Sequence, residues 1–276
     1  MNNIQMIVDN AASRATITGS VVAPGMSLTA MLNDVKSHVC RSVGTAFEIV
    51  MTWPSDEVIG GVHLPRCNVS SLGTIELLGY SAAVGGAQVL SVAPTLCCPA
   101  PARKLRFPWT AITAAVAYAY GGGSHGFVWF ANTTIRRLVI RLSDAGSPQG
   151  YNEVSRIFVG EKVTLEGGAS YNPSITPAST GSQSRSHAGD RRSVKGTKHF
   201  KLAVVLADMT ETDRKFIWNM LVANGLDEPI IVSLYPGDPS AERERDHQML
   251  GVLVQTPAMR RPNFAQHATS LEWESM

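Results

Sequence analysis

Three glycines, Gly121, Gly123 and Gly126, match the G-x-G-x-x-G spacing of a dinucleotide-binding loop. Asp144 follows at about the spacing expected of an acid that binds the ribose. Such a loop requires a helix after the glycines, because the N-terminal amides of that helix bind the pyrophosphate. The next segment, Phe127 to Phe130, favours a strand instead. We therefore interpret the glycines as a hairpin or loop and expect no bound cofactor.

The cysteines and histidines do not have the spacing of a metal site. No C-x-x-C pair, H-x-x-x-H helix or run of carboxylates at calcium-loop spacing occurs. Adjacent cysteines rarely form an unstrained disulfide with each other, so Cys97 and Cys98 are predicted to be reduced, like Cys40 and Cys67. The seven histidines are scattered, and none lies in a recognisable nucleophile and base arrangement. We expect no metal and no catalytic site.

The tryptophans are candidates for a sugar-binding platform. Trp109, Trp129 and Trp218 lie in segments where an aromatic side chain usually belongs to the core. Only Trp53, in the turn-like segment Trp53 to Asp56, is predicted to be exposed.

Composition limits the classes of partner. A chain of 276 residues is long enough for two domains, and with 44% hydrophobic and 17% charged residues its surface is poor in charge. Much of that surface is therefore expected to face other protein. The formal net charge of +2 is too small to indicate nucleic acid as the main partner. Residues 1–14 lack the pattern of a signal peptide, and no apolar run approaches the roughly 20 residues that span a bilayer.

Residues from Thr16 to Leu165 predict a β-sandwich, preceded by an N-terminal arm of residues 1–15. Short segments rich in β-branched and aliphatic residues alternate with Gly, Pro, Ser and Asn, and no long amphipathic helix interrupts them. The clearest strands are Phe47 to Met51, Thr74 to Leu78 and Leu138 to Leu142.

Between Gly167 and Lys198 the composition changes to Gly, Ser, Thr, Pro, His and Arg. A stretch with so few large apolar side chains cannot offset the entropy lost when its own backbone is ordered. The part from Ile175 to Lys198 is therefore predicted to be a mobile basic loop. Its basic side chains, opposed only by Asp190, are the candidate inter-subunit contact: Arg185, Arg191, Arg192, Lys195 and Lys198. A merely solvated linker is an equally good interpretation.

Residues 166–276 predict an α+β domain with one helix packed on an antiparallel sheet. Thr210 can cap the helix, with Asp213 three residues later in the capping-box position. Gly225 and then Pro229 end it. One apolar face is formed by Phe216, Ile217, Met220 and Leu221. The predicted strands are Phe200 to Leu206, Ile230 to Leu234, Met249 to Gln255, and a final strand around Leu271 and Trp273.

Several blocks of the sequence, in order, resemble the distal tail or tail-tip proteins of siphophages. The segment Leu138 to Asp144 followed by Gly150 to Gly160 is similar to the closing strands of discoidin-like jelly rolls. Leu64 to Ser71 is similar to another recurrent block of the phage proteins. The similar blocks of the second domain are Met209 to Arg214, Pro229 to Pro236, Gln248 to Gly251 and Leu271 to Glu274. None of these blocks is a catalytic signature.

The resemblance implies a structural protein of the virion, assembled in the host cytoplasm, that forms a ring between the tail tube and the receptor-binding apparatus. The second domain would build the ring. The implied partners are copies of the same chain, with a hexamer favoured over a trimer, together with tail tube and tail hub proteins. DNA would only pass through the lumen, and a host surface glycan is a further candidate partner.

Two other classes of function stay open. In a carbohydrate-binding module, the loops of the jelly roll would engage a host sugar through exposed aromatic side chains among polar groups. In an enzyme such as a glycan hydrolase, two carboxylates would converge in a cleft, and the sequence offers no such pair.

Overall fold

The computed structural model describes residues 3–98, 124–147, 149–167, 173–238, 240–263 and 266–276. The chain forms two compact units. The described parts of Met6–Val163 and Pro236–Asp246 form the first, which we call the sandwich unit. Those of Met1–Gln5, Thr164–Tyr235 and His247–Met276 form the second, the sheet-helix unit. The chain passes between the units at Val163, two residues before the predicted boundary at Leu165.

The strands up to residue 164 are β1 (Gln5–Ile7), β2 (Thr16–Gly19), β3 (Cys40–Arg41), β4 (Ala46–Cys67), β5 (Thr74–Tyr80), β6 (Gln88–Leu96), β7 (Ser124–Ser143), β8 (Glu153–Gly160) and β9 (Val163–Thr164). Two short 3-10 helices span Ala11–Arg14 and Leu28–Leu32. An antiparallel sheet has the order β3-β8-β4-β7-β5-β6, with β2 on β4. The three strongest predicted strands lie inside β4, β5 and β7.

Two long strands, β4 and β7, organise this sheet. They pair along most of their length, with a shift of register between Thr52 and Glu57. Before the shift β4 also pairs with β2, and after it β4 pairs with β8. Near the start of β4, alternate side chains from Phe47 to Trp53 are buried, as expected when one face of a strand covers a core. A bulge of this kind lets one strand contribute to two differently oriented parts of a sheet.

The sheet-helix unit contains β10 (Ser174–Ser179), β11 (Ser182–Arg185), β12 (Arg191–Val194), β13 (Lys198–Met209), α1 (Glu211–Asn224), β14 (Ile230–Ser233), β15 (Gln248–Leu253), β16 (Arg260–Asn263) and β17 (Gln266–Ser275). Its sheet order is β10-β13-β17-β15-β14, with β16 on β17. A second helix, α2 (Ala241–Asp246), is short, belongs to the sandwich unit and was not predicted from the sequence. The predicted fold class, mainly β with an antiparallel sheet and one packed helix, is confirmed.

Helix α1 follows the predicted limits. The hydroxyl of Thr210 accepts the backbone N–H of Asp213 at 3.2 Å, and Gly225 ends the helix with a positive φ of 59°. Ile217 and Met220 are buried. The Asp213 carboxylate differs from the expected capping box, because it accepts the backbone N–H groups of Glu166 and Gly167 at 2.9 and 2.8 Å. None of the described helices is long and apolar enough to span a membrane.

The prediction of a separate N-terminal arm differs from the structure. Residues 5–7 form β1, and Ala11 and Ala12 belong to the core of the sandwich unit. The side chain of Asn10 explains this placement. Its Nδ2 donates to the carbonyl of Ile157 at 3.1 Å, and its Oδ1 accepts the N–H of Val159 at 3.0 Å. Residues 236–246, predicted in the second domain, belong to the sandwich unit.

The stretch from Ile175 to Lys198, predicted to be a mobile basic loop, contains strands in the structure. β10 pairs with β13 from Ser174↔Ala203 to Ser179↔Lys198, and β11 pairs with β12 beyond them. The prediction considered only what the side chains can bury. It missed that a neighbouring strand already in a sheet provides backbone hydrogen bonds whatever the composition of its partner.

Candidate functional site

The predicted inter-subunit residues lie on an exposed hairpin. We call residues 182–195, which include β11 and β12, the basic arm. The two backbone segments approach each other closely where the arm begins: a Cβ on Gly196 would lie 2.0 Å from the N of Gly181. At the preceding pair of residues, the N–H of Thr180 donates to the carbonyl of Thr197 at 3.1 Å. Glycine is required at position 196, since any side chain there would collide with the facing backbone.

The arm concentrates positive charge without burying it. Arg185, Arg191, Arg192 and Lys195 are exposed, and no carboxylate of the described residues pairs with any of the four. Arg185 faces Arg191 across the ladder, a placement of like charges that disfavours the isolated hairpin. Arg191 donates to Gln183 Oε1 at 2.7 Å, and Arg185 donates to the carbonyl of Gly189 at 3.3 Å. Lys198 lies outside the arm, at the first position of β13.

A pocket that the sequence did not predict lies elsewhere in the sheet-helix unit. It has a volume of about 410 Å³ and is lined by Glu211, Arg214, Trp218, Met259, Arg260, Arg261 and His267. We call it the Trp218 pocket. Helix α1 supplies the first three residues at spacings of three and four, which places them on one face of the helix. Arg260 and Arg261 belong to β16, and His267 belongs to β17, the strand with which β16 pairs.

An ion-pair network fixes the charge of Glu211 in this pocket. Arg214 Nε donates to Glu211 Oε2 at 2.8 Å, and His267 Nε2 lies 3.1 Å from the same oxygen. The hydrogen bonds from Arg214 lower the pKa of Glu211 to about 2. The Glu211 carboxylate is therefore ionised at neutral pH and accepts hydrogen bonds only.

Two tryptophans have the reverse of their predicted exposure. Trp218 is 53% exposed, although the sequence predicted a core position. Trp53, the one predicted to be exposed, is 1% exposed, and its Nε1 donates to the carbonyl of Ala11 at 2.8 Å. Trp129 is half-buried, and Trp109 lies outside the described residues. The exposed tryptophan, predicted in the first domain at Trp53, is thus Trp218 of the second unit.

Two groups of buried titratable side chains lie in the sandwich unit. His63 Nδ1 is 3.2 Å from His125 Nε2, and the ring of His63 packs against Trp129 with centroids 4.4 Å apart. Desolvation lowers the pKa of His125 to about 4 and the pKa of His63 well below its usual range. Both imidazoles are therefore neutral at pH 7.

The second group consists of three of the four cysteines, all of which are buried and outside any disulfide bond. Cys98 Sγ lies 3.8 Å from Cys67 Sγ and 3.7 Å from Cys97 Sγ. Hydrogen bonding to Cys67 and Cys97, together with desolvation, raises the pKa of the Cys98 thiol well above its usual range, and such a buried thiol is a poor nucleophile. Within the described part of the chain, no three His, Cys, Asp or Glu side chains are placed to hold a metal ion.

The residues of the G-x-G-x-x-G match play no common role in the described structure. Gly121 and Gly123 lie outside the described residues, while Gly126 is within strand β7 and not before a helix. Asp144 is buried and accepts hydrogen bonds from the backbone N–H and the hydroxyl of Ser70, at 2.7 and 2.8 Å. Asp144 therefore holds the segment after β4 in place.

Comparison with known proteins gives no family. No protein-family model and no curated protein matches the sequence. Solved structures that match include a chitosan-binding module of a chitosanase/glucanase from Paenibacillus sp. IK-5, with 14% identity and a TM-score of 0.40, covering 55% of this chain and 98% of that module.

Two further matches are sugar complexes. CpGH89CBM32-5 from Clostridium perfringens, in complex with GalNAc-β-1,3-galactose, is 9% identical with a TM-score of 0.37, over 55% of this chain and 99% of that one. A Ruminococcus gnavus GH29 fucosidase in complex with fucose is 12% identical with a TM-score of 0.39, over 56% of this chain and 27% of that one. At these values the likeness carries no argument about ligand or activity.

Proposed function

We propose that this chain is a structural, non-catalytic subunit of a bacteriophage tail, in which the basic arm contacts a neighbouring subunit. The neighbouring subunit would belong to the ring at the tail tip that the resemblance implies. The observation that carries the proposal is the arm itself, a hydrogen-bonded hairpin in which every residue but the half-buried Ser186 is exposed.

The energetics of the arm favour an external partner. Ordering each backbone residue costs roughly 1 to 2 kcal/mol, and a two-stranded hairpin without a buried face is marginal in water. The largest apolar side chain of the arm, Val194, is 69% exposed and buries little of its surface in the chain. Packing against a neighbouring protein would supply the missing burial.

The charge of the arm indicates the kind of surface it meets. The arm carries four basic side chains and one acidic one, and four minus one gives it a net charge of +3. This exceeds the net charge of +2 of the whole chain. Three of the four are arginines, whose planar guanidinium groups pair with carboxylates across an interface in two-point contacts. An arm lining the lumen would instead hold DNA and hinder its passage. We therefore expect the arm to contact an acidic protein surface of an adjacent subunit.

The test is a deletion that the geometry allows without disturbing the sheet. Because Gly181 and Gly196 touch, joining them directly replaces the arm by a two-residue Gly-Gly turn between β10 and β13, a sequence that hairpin turns accept. We expect a folded protomer that no longer forms rings in electron microscopy, and tails that fail to assemble. A variant with Arg185, Arg191, Arg192 and Lys195 all changed to Gln keeps the arm and removes its charge. If both variants still assemble, the arm is a solvated extension.

Carbohydrate recognition is a second candidate function. In the described part of the sandwich unit every Phe, Tyr and Trp side chain is buried or half-buried. The observation that favours recognition is the Trp218 pocket, where an exposed indole lies among charged hydrogen-bonding groups. Binding of the purified chain to a glycan array, lost in Trp218→Ala, is the expected result. No glycan binding at any density would exclude this second function.

A further inference from the structure

The Trp218 pocket combines three chemical features that one class of ligand would use together. Its volume of about 410 Å³ lies within the range of small-molecule sites and admits one or two sugar rings. Its lining has three arginines and a histidine against one carboxylate. We propose that the Trp218 pocket binds an acidic saccharide, a sugar that carries a carboxylate. This inference rests on the second function proposed above and names its substrate class.

Trp218 provides the apolar platform. Its indole is 53% exposed, which places a large apolar surface in contact with water unless a ligand covers it. The C–H face of a sugar ring covers such a surface, and the hydroxyl groups at the edge of the ring stay free for hydrogen bonds. Met259, half-buried at the same pocket, adds an adaptable apolar wall.

Arg260 provides the positive charge for an anionic group. The arginine that α1 contributes to the pocket, Arg214, is already engaged with Glu211. Arg260 is exposed and forms no ion pair with any carboxylate among the described residues. A guanidinium group without a protein partner at the rim of a pocket binds a carboxylate through two parallel hydrogen bonds. The pocket therefore has one arginine, Arg214, neutralised from within and another, Arg260, available to a ligand.

Glu211 provides discrimination between the parts of the ligand. Its carboxylate stays ionised because the hydrogen bonds from Arg214 lower its pKa to about 2. An ionised carboxylate accepts hydrogen bonds from sugar hydroxyls and repels a second carboxylate. A ligand would thus direct its hydroxyls toward Glu211 and its acidic group toward Arg260. A neutral sugar would use only part of the pocket, and an acidic peptide would meet Glu211 with the wrong charge.

The experiment uses the full chain on an array of sialyl and uronic-acid oligosaccharides, each printed beside its methyl ester. The ester keeps the shape of the sugar and removes its charge. We expect at least one acidic glycan to bind, with its ester at least tenfold weaker. Trp218→Ala should abolish binding to both members of the pair. Arg260→Gln should weaken binding of the acid about tenfold and leave the ester unchanged.

Matched controls separate the causes of failure. Arg192→Gln removes an exposed arginine of the basic arm and should leave glycan binding unchanged, while Trp218→Phe should retain part of it. Circular dichroism confirms that each variant is folded. If acid and ester bind equally and both need Trp218, carbohydrate recognition stands and the acidic ligand is wrong. If no glycan binds, both proposals fail. If poly-glutamate binds instead and competes at Trp218, the pocket is a protein-docking site.

Discussion

The pair of long strands β4 and β7 and the basic arm are both antiparallel ladders, and they differ in what their side chains touch. Along β4, residues such as Phe47, Ile49 and Met51 are fully buried. Along β11 and β12 every side chain is exposed. The backbone hydrogen bonds are of the same kind in both. The comparison shows that a ladder defines geometry, whereas burial of apolar surface supplies most of the free energy of folding.

The largest effect is expected where the sandwich core loses its biggest side chain. Trp53→Ala removes a fully buried indole and its hydrogen bond to the carbonyl of Ala11, so the free energy of unfolding should fall by about 3 to 5 kcal/mol. Chemical denaturation followed by far-UV circular dichroism measures this loss. The control Val194→Ala, on the arm, should change stability by less than about 0.5 kcal/mol. Equal losses would remove the distinction between the two ladders.

The histidine pair of buried His63 and half-buried His125 makes the stability of the sandwich core depend on pH. In the folded chain desolvation lowers the pKa of His125 to about 4, whereas in the unfolded chain it titrates near about 6.5. The unfolded state therefore binds more protons in acid. The stability that neutral His125 contributes is present above about pH 6.5 and is lost as the pH falls toward 4, by about 3 kcal/mol.

Thermal unfolding at several pH values tests this dependence. The unfolding temperature of the wild-type chain should fall between pH 7 and 4, and His125→Gln should flatten that slope. His187→Gln, on the exposed arm, is the matched control and should leave the slope as it is. A slope unchanged in His125→Gln would mean that the pair between His63 and His125 does not govern acid stability.

A smaller effect is expected at the start of α1. Asp213→Ala leaves the backbone N–H groups of Glu166 and Gly167 without an acceptor, which costs roughly 1 to 3 kcal/mol. Thr212→Ala, at an exposed neighbouring position, should cost less than about 0.5 kcal/mol. Hydrogen exchange at residues 166 and 167 should accelerate in the first variant only. Equal protection in both variants would show that the carboxylate is dispensable.

The smallest effect on stability is expected from removing the basic arm. Joining Gly181 to Gly196 deletes no buried side chain, so the free energy of unfolding of the isolated chain should change by less than about 1 kcal/mol. Denaturation of the monomer beside the wild-type protein measures it. A loss of several kcal/mol would show that the arm packs on its own chain and would weaken the comparison with β4 and β7.

The sequence by itself determined the elements whose signals are local. Thr210, Gly225 and the apolar face with Ile217 and Met220 set the limits of α1, because caps and helical periodicity act within a few residues. The alternation of apolar residues from Phe47 to Met51 likewise predicts a strand with one buried face. The same alternation extended by two residues predicts that Trp53 is buried, as it is in the structure. The segment after Gly126 forms part of strand β7, as its sequence predicted.

Only the tertiary structure decided which side chains meet. Cys67 ends β4 and Cys98 follows β6, so the contact between their sulfur atoms depends on the arrangement of the strands in the sheet and not on spacing in the chain. The Trp218 pocket arises in the same way, from α1, β16 and β17. Trp53 is buried because β4 continues through its turn-like sequence. Trp218 is exposed because it lies, with Glu211 and Arg214, on a different face of α1 from the buried Ile217 and Met220. Exposure follows from long-range packing, which residues far apart in sequence settle together.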